Sequence, residues 1–446
     1  AIYGSVFGGS RGKAAASCKR SPRYRYVPDF FLGYVNKAII NIGGTITNNV
    51  VTPVSGDGPT IHGSVYGGGQ DGHVRNSTEV KIYKGSIEGQ TNDSFGRSGH
   101  VFGAGSGIGT YKDGDDNKVN NSSGSVTCST LVEVNGSDAH IAGNVYGGGA
   151  LASVGPPKTG GDHQTLDEKN VSSGTWKSYS YSQVNIKAGT IGGNVFAASR
   201  GPSDSYLATN PQFDTDDGSY DATKYATDLW SNVHVSGGTI SGNVFGGGET
   251  GQVKCGVTVN ITGGTITGDV HGGGALAHTN TSNLKQDKSD NNIWKWTDTT
   301  NKTAKYTTIV NLLGGTIGGD AYGGGLGRRE YGTSGQDGYE SAVEAKVYGD
   351  VRVNLNGLET ADYDDGIHGE TPGIGERLEK LSNNNYQVKD AAKGAIVNRV
   401  FGCNNLLGSP QGKVRVHVFG TQNVATTATA IAELAVAEGQ TPPPAT

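Results

Sequence analysis

The chain has 446 residues, a formal net charge of -5 and 75 glycines. This near-neutral balance without a basic tract argues against nucleic acid as the main partner. No apolar run approaches the roughly 20 residues that span a bilayer. Glycine is far above its usual level, yet only 13 residues are proline, so neither a collagen nor a disordered chain is indicated. Because the chain lacks methionine and begins at Ala1, we expect a processed or truncated segment.

One glycine-rich motif recurs from one end of the chain to the other. Its clearest copy, residues 237–248, reads Gly-Gly-Thr-Ile-Ser-Gly-Asn-Val-Phe-Gly-Gly-Gly. In chain order, the Val-aromatic step of the copies falls at Val6–Phe7, Val65–Tyr66, Val101–Phe102, Val145–Tyr146, Val195–Phe196, Val244–Phe245, Val270–His271, Ala321–Tyr322 and Val400–Phe401. The shortest spacing, between Phe245 and His271, is 26 residues. Elsewhere the spacing is 36–79 residues, and a bare repeat of this size, lengthened by insertions, is typical of solenoid proteins.

Each short copy offers three short strands separated by glycine corners. Residues 257–261 alternate apolar and polar side chains, as a strand with one buried face does. Thr265–Thr267 and Asp269–His271 supply two more strands, and glycine suits the corners because it reaches positive φ without penalty. We therefore predict an all-β protein, a parallel β-helix (β-solenoid) of about nine coils with three short strands each. A β-propeller is disfavoured because its blades need about 40 residues.

Polar segments of variable length interrupt the repeat, mostly after the Gly-Gly-Gly. The main ones are residues 150–182, 198–232, 275–307 and 326–348. Since they share one point of the repeat, we expect them to project from one corner and to form a binding face. The segments after Ile46 and Leu358 depart from this pattern. The prediction is one solenoid domain at residues 1–420, followed by an Ala/Thr/Pro-rich linker or tail at 421–446.

Two positions of the repeat are predicted to form ladders along the solenoid. The position before the strand's Val or Ala is occupied in five copies by Asn144, Asn194, Asn243, Asp269 and Asp320. Stacked side chains of this kind can hydrogen-bond from coil to coil. The aromatic position is expected outside the core, with rings that stack on one another beneath the following insertion. An exposed platform for sugars or a partner protein, and rings turned inward, remain alternatives.

Acidic triplets recur in three insertions and suggest a metal. They are Asp113, Asp115 and Asp116; Asp214, Asp216 and Asp217; and Asp362, Asp364 and Asp365. Closely spaced carboxylates on loops bind Ca²⁺, so calcium is the one cofactor indicated. The spacing does not match an EF-hand, and turn chemistry, which favours Asp for its own backbone hydrogen bonds, is the preferred explanation. The four cysteines form no C-x-x-C pair, so we expect free, buried thiols rather than a zinc site.

Tryptophan marks the insertions as well. Trp176, Trp230, Trp294 and Trp296 all lie in them and could bind by stacking on sugar rings. The preferred alternative is that they form small cores that hold each insertion together. No two carboxylates are paired at a defined spacing, as glycoside hydrolysis requires, so no catalytic residue is predicted.

The motif Gly-Gly-Thr-Ile-x-Gly-Asn-Val-Tyr/Phe-Gly-Gly-Gly resembles the glycine-rich repeats of very large, adhesin-like surface or secreted proteins of gut and oral Bacteroidetes. The resemblance covers most of residues 1–420. It implies an extracellular β-solenoid scaffold and no catalytic residues. We therefore expect an extracellular structural or adhesive scaffold of a bacterial surface, whose insertions meet glycans or proteins. The alternatives are a polysaccharide-active β-helix enzyme and a filament subunit that stacks end to end through its open coil edges.

Overall fold

The computed structural model describes residues 1–12, 16–18, 25–27, 33, 35–48, 50–90, 98–107, 111–113, 116–118, 123–155, 181–201, 230–287, 290–296, 306–359, 378–381, 385–390 and 393–420. These residues form β-strands and turns, with a short 3-10 helix at Thr281–Asn283. Within them, no helix is long and apolar enough to cross a membrane.

A short sheet of nine parallel strands runs along the molecule, with one strand from each coil. Its strands are Val6–Phe7, Val65–Tyr66, Val101–Phe102, Val145–Tyr146, Val195–Phe196, Val244–Phe245, Val270–His271, Ala321–Tyr322 and Val400–Phe401. Valine pairs with valine or alanine, and each ring pairs with a ring of the next coil. The predicted nine-coil parallel β-helix is confirmed.

A long parallel sheet forms the opposing wall. Its main strands are Val35–Ile42, Val74–Ile82, Ser129–Val134, Tyr181–Ile186, Trp230–Ile240, Val257–Ile266, Thr307–Ile317, Asp350–Leu355 and Val414–Val418. Shorter strands in the same sheet are Thr60–Ile61, Gly85–Ile87, Ala139–Ile141 and Thr190–Ile191. In three coils the first two predicted strands are therefore one strand that bends at Gly-Gly, with a shift in register there. Gly264, at φ +81, allows the bend.

A short fourth side completes each coil, where the sequence predicted only a glycine corner. Single bridges connect Val74, Val126 and Val154 in the early coils. In the later coils, bridges connect Val253, Thr279, Val347 and Pro410. The residues after the glycine run thus turn back toward the core before the next long strand begins.

The core lies between the two sheets and consists of columns of β-branched residues. One column contains Ile61, Ile87, Ile141, Ile191, Ile240, Ile266 and Ile317, all of them buried. A coil alone exposes these side chains, so stacking supplies their burial, at about 1.5–3 kcal/mol for each Val or Ile. The alternation read from the sequence therefore places the apolar residues correctly.

Where the structure describes them, most insertions leave the solenoid after the glycine run, as predicted, beside the fourth side. Described parts of them are the hairpins Tyr111–Asp113 with Asp116–Lys118 and Leu284–Asp287 with Asp290–Trp296. The two predicted exceptions leave from the long sheet instead. They contain the hairpin Gly44–Thr47 with Val50–Pro53 and the small sheet of Gly357–Leu358, Tyr386–Val388 and Leu378–Lys380. A further hairpin pairs Ala16–Cys18 with Arg25–Val27.

The cysteine prediction is partly wrong. Cys128, Cys255 and Cys403 are not part of a disulfide, as expected. However, the first two are only half-buried and Cys403 is exposed. Cys403 follows Phe401 in the last coil, and no described coil lies above it to cover the thiol.

Candidate binding surface

The aromatic position forms an unbroken column of rings along the solenoid. Successive ring centroids from Phe7 to Phe401 are 4.7–5.1 Å apart, with interplanar angles of 1–10°. The rings between the two ends are buried and form a cluster separate from the valine core. Ala150, Ala275 and Leu276, which directly follow the glycine runs, pack over them. The column is therefore a covered structural element and not an exposed platform.

Tyr146, one of the tyrosines in the ring column, has a polar partner in a covering turn. The Tyr146 hydroxyl donates to Glu249 Oε2 at 2.5 Å and accepts from Asn144 Nδ2 at 2.7 Å. Burial, and then the nearby carboxylate of Glu249, raise the pKa of Tyr146 well above its ordinary value. Glu249 lies two coils further along than Tyr146, so this contact fastens the glycine turn of one coil onto the ring of another.

The predicted polar ladder is present beside the rings. Asn144 Oδ1 accepts the backbone N–H of Asn194 at 2.8 Å, and Asn194 Oδ1 accepts that of Asn243 at 2.8 Å. The same contact, from a side chain to the next coil's backbone, extends through Ser5, Ser64, His100, Asn243, Asp269 and Asp320. Because each acceptor is satisfied by the neighbouring coil, we assign the row to structure and not to ligand binding.

The ladder places two carboxylates, Asp269 and Asp320, on neighbouring coils. Arg399 donates to both oxygens of Asp320 and holds the pKa of that carboxyl below its ordinary value. Glycoside hydrolysis needs one carboxyl group that stays protonated until it donates its proton. Asp320 has the opposite tendency, so this pair does not suit that reaction.

His271 is the exceptional member of the ring column. It is fully buried, and neither ring nitrogen has a hydrogen-bond partner within the described part of the chain. Its Nε2 lies 3.8 Å from Asp269 Oδ2. Burial lowers the pKa of His271 to about 3. The imidazole is therefore neutral at physiological pH and serves as a ring in the stack.

The structure describes some of the predicted tryptophan positions and leaves others outside. Trp230 is half-buried at the start of a long-sheet strand, and its ring meets that of Tyr306 edge-on, with centroids 5.9 Å apart. Trp294 and Trp296 lie in one hairpin strand opposite Gln286 and Leu284. Trp176 lies outside the described residues. The contact of Trp230 agrees with a packing role there.

The predicted calcium residues are brought together only in part. Asp113 and Asp116 are paired across the hairpin that contains them. Asp115, Asp214, Asp216, Asp217, Asp362, Asp364 and Asp365 lie outside the described residues. Among the residues that are described, no three His, Cys, Asp or Glu side chains are grouped to hold a metal ion.

An exposed arm at residues 328–344 is the insertion that the structure describes throughout. Antiparallel bridges join Arg328 to Val343 and Tyr331 to Glu340, and Arg328 Nε donates to the backbone of Ser341 at 3.1 Å. The Tyr331 side chain is 73% exposed. This arm lies within the predicted insertion at residues 326–348, but none of its residues was predicted as a binding residue, although its three regularly spaced glycines, all at positive φ, were a usable signal of tight turns.

No protein-family model, curated protein or solved structure matches this chain. The site must therefore be interpreted from its own geometry.

Proposed function

We propose that this chain is an extracellular structural or adhesive scaffold of a bacterial surface or secreted protein. In this proposal the coils form a rigid rod, and the insertions form the face that meets glycans or proteins. The observation that supports it best is that the ring column and the polar ladder continue unbroken past every insertion. Insertion length and sequence can therefore vary without disturbing the rod, as in solenoids that bind through their loops.

The arm at residues 328–344 shows how independent an insertion is of its coil. In the coil before it, Leu276 is joined directly to Ala277, whose carbonyl lies against Gly274. In the coil with the arm, Ala345 takes the place of Ala277 and lies in the same way against Gly325. Gly327 corresponds to Leu276, because each donates its N–H to the preceding coil at the same step. The arm is thus added between two residues that are otherwise adjacent.

The chemistry of the arm suits a polar binding partner. Tyr331 offers an exposed aromatic face, Arg329 is exposed, and the Tyr339 hydroxyl donates to Glu330 at 2.9 Å. An aromatic ring beside charged groups can stack on a sugar or pack against a protein while its polar neighbours donate hydrogen bonds. Calcium in the acidic insertions belongs to the same proposal, as an ion that would order those loops.

A deletion tests the proposal. Removal of residues 328–344 joins Gly327 to Ala345 and recreates the turn of the preceding coil. The segment at residues 202–229, between Gly201 and Trp230, can be replaced in the same way by Gln-Val-Lys-Ser. This sequence copies residues 252–255, which join the equivalent positions Gly251 and Gly256 of the next coil, with serine in place of the cysteine. We expect the double variant to keep the Tm of the full chain and to lose binding on a glycan array and to host-cell proteins.

Two results would contradict the proposed function. The first is a double variant that binds every partner of the full chain with unchanged affinity, because these two insertions would then not contribute to binding. The second is release of oligosaccharides when the full chain is incubated with acidic polysaccharides, which would favour the enzyme alternative.

A further inference from the structure

The two ends of the solenoid differ in how well their core residues are covered. At the C-terminal edge, Val414, Val416 and Val418 are 40%, 40% and 56% exposed. At the N-terminal edge, the equivalent inward residues Ala38, Ile40 and Ile42 are 4%, 8% and 6% exposed. The valines continue the core columns of the long sheet. The C-terminal edge is thus an apolar core surface without a cover among the described residues.

The backbone of the same strand is unpaired along one side. Val414–Val418 is the last strand of the long sheet and pairs with Asp350–Leu355 alone within the described chain. An exposed strand edge with apolar side chains is a ready template for pairing with another strand. The last ring of the column, Phe401, is also 39% exposed at this end, and the Arg399 guanidinium lies 5.7 Å from its ring centroid.

The sequence of this edge strand is nearly symmetric about its central residue. It reads Val-Arg-Val-His-Val, so reversal exchanges only Arg415 and His417. In an antiparallel pair, residues directly opposite each other point to the same side of the sheet. Two copies of this strand, centred on Val416, would place valine opposite valine on the core side. The basic residues would lie opposite each other on the solvent side.

The basic side chains are already balanced by an acidic neighbour. Glu359 Oε1 accepts from Arg415 Nη1 at 2.8 Å and lies 2.8 Å from His417 Nδ1. Two such clusters related by a two-fold axis would bring each carboxylate near the basic residues of the other copy. The basic residues that face each other across the axis are therefore each offset by a carboxylate.

We infer that a second copy of this chain docks on the C-terminal edge, through antiparallel pairing of the two Val414–Val418 strands. The result is a tail-to-tail dimer with a two-fold axis at Val416, and such isologous contacts are closed. Head-to-tail stacking is less well supported, because the N-terminal edge that it needs already has its core residues buried. The inference is independent of the proposed function, and it would place the insertions of the two rods on both sides of one junction.

Disulfide trapping tests the register. The background is the full chain with Cys403→Ser, since the exposed Cys403 lies in the last coil. In the dimer, Val416 faces itself across the axis at the Cα separation of about 4.5–5.5 Å that an antiparallel pair provides, which a disulfide can bridge. We expect Val416→Cys to form a covalent dimer under mild oxidation. Val414→Cys, which faces Val418, should stay monomeric unless Val418→Cys is added to it.

Sedimentation equilibrium of the full chain gives an independent measurement. Val416→Lys places two ammonium groups against each other at the axis, so we expect dimerisation to weaken about a hundredfold or more. Val50→Lys, at an exposed residue near the other end, is the matched control and should dimerise normally. A full chain that is monomeric at high concentration, or equal trapping by Val414→Cys and Val416→Cys, would overturn the inference. The first outcome would mean that residues 421–446, or other chain beyond the edge, cover it.

Discussion

Arg399 donates two hydrogen bonds to the carboxylate of Asp320, from Nε to Oδ1 at 3.0 Å and from Nη2 to Oδ2 at 2.7 Å. Every earlier coil supplies an acceptor at this point of the ladder, whereas this coil supplies a donor. The ladder therefore ends at Arg399 instead of continuing to another coil. The same guanidinium lies 5.7 Å from the ring centroid of Phe401, so one side chain contacts both the last carboxylate of the ladder and the last ring of the column.

Arg399→Ala should destabilise the solenoid in a pH-dependent way. The hydrogen bonds from Arg399 are the main cause of the lowered pKa of Asp320. The ordinary pKa of this carboxyl is 3.8. Because the pKa is lowered in the folded protein, the carboxylate stabilises the fold fully at pH values above 3.8, and this contribution is lost as the pH falls through the folded pKa. We expect a lower Tm than that of the unaltered protein at pH 7 and a smaller difference in strong acid. Thermal melts across this range provide the measurement, and an unchanged Tm at pH 7 would contradict it.

His271→Phe should make the protein more resistant to acid. Burial lowers the pKa of His271 to about 3, so the unfolded chain binds a proton more readily than the folded chain between that value and about 6.5. Stability is therefore lost as the pH falls below about 6.5, by roughly 2 kcal/mol at pH 5. The phenylalanine variant should not show this part of the loss in urea titrations at pH 8 and pH 5.

His140→Phe is the matched control for that prediction, because His140 is exposed on the long sheet. If both variants change the loss of stability between pH 8 and pH 5 by the same amount, the acid sensitivity does not come from the buried histidine of the ring column.

Tyr146→Phe should cost about 1.5–3 kcal/mol of unfolding free energy. The ring still fits the column, since Phe102 and Phe196 occupy the same position in the neighbouring coils. The substitution removes the charge-assisted hydrogen bond from the hydroxyl to Glu249, and also the hydrogen bond that the hydroxyl accepts from Asn144. If Glu249→Gln in the Tyr146→Phe background costs as much as it does in the unaltered protein, the two residues are not coupled and the explanation fails.

Gly246→Ala tests the close approach of neighbouring coils. A Cβ at this position would lie 2.3 Å from the Gly272 carbonyl oxygen and 2.3 Å from Val257 Cγ1. Because backbone forms one side of the clash, we expect a loss of roughly 1–3 kcal/mol or more. Gly56→Ala has open space around it and should leave the urea midpoint unchanged. Equal behaviour of the two variants would show that the glycine run is not required for coil packing.

Sequence periodicity was enough to predict the features that every coil repeats. The valine core, the ring column and the Asn/Asp ladder each depend on one position that recurs in the repeat. Residues such as Asn194 and Asn243 can therefore be recognised as equivalent by aligning the copies. The bend at Gly238 was misread as a full corner, because a glycine at positive φ fits both a corner and a bulged strand. The pairing of Arg399 with Asp320 could not be predicted, since it joins residues far apart in sequence and occurs at one coil only.

The candidate binding surface was harder to predict than the rod. Composition identified the insertions as the variable segments but could not distinguish the Asp-rich turns from calcium ligands. The arm around Tyr331 depends on single antiparallel bridges, which leave no repeated pattern in sequence. A contact that occurs in one coil only cannot be recognised by comparing copies of the repeat.

The polar ladder also has a direction, which bears on how the protein is made. In each contact the acceptor belongs to the earlier coil and the N–H to the later one, as Asn144 and Asn194 illustrate. As the chain is synthesised from its N-terminus, each finished coil already presents the acceptor that the next coil needs, so we expect folding to advance from coil to coil during synthesis. Ribosome-bound chains in which the N-terminal coils stay protease-sensitive until the C-terminal coils have emerged would count against this order.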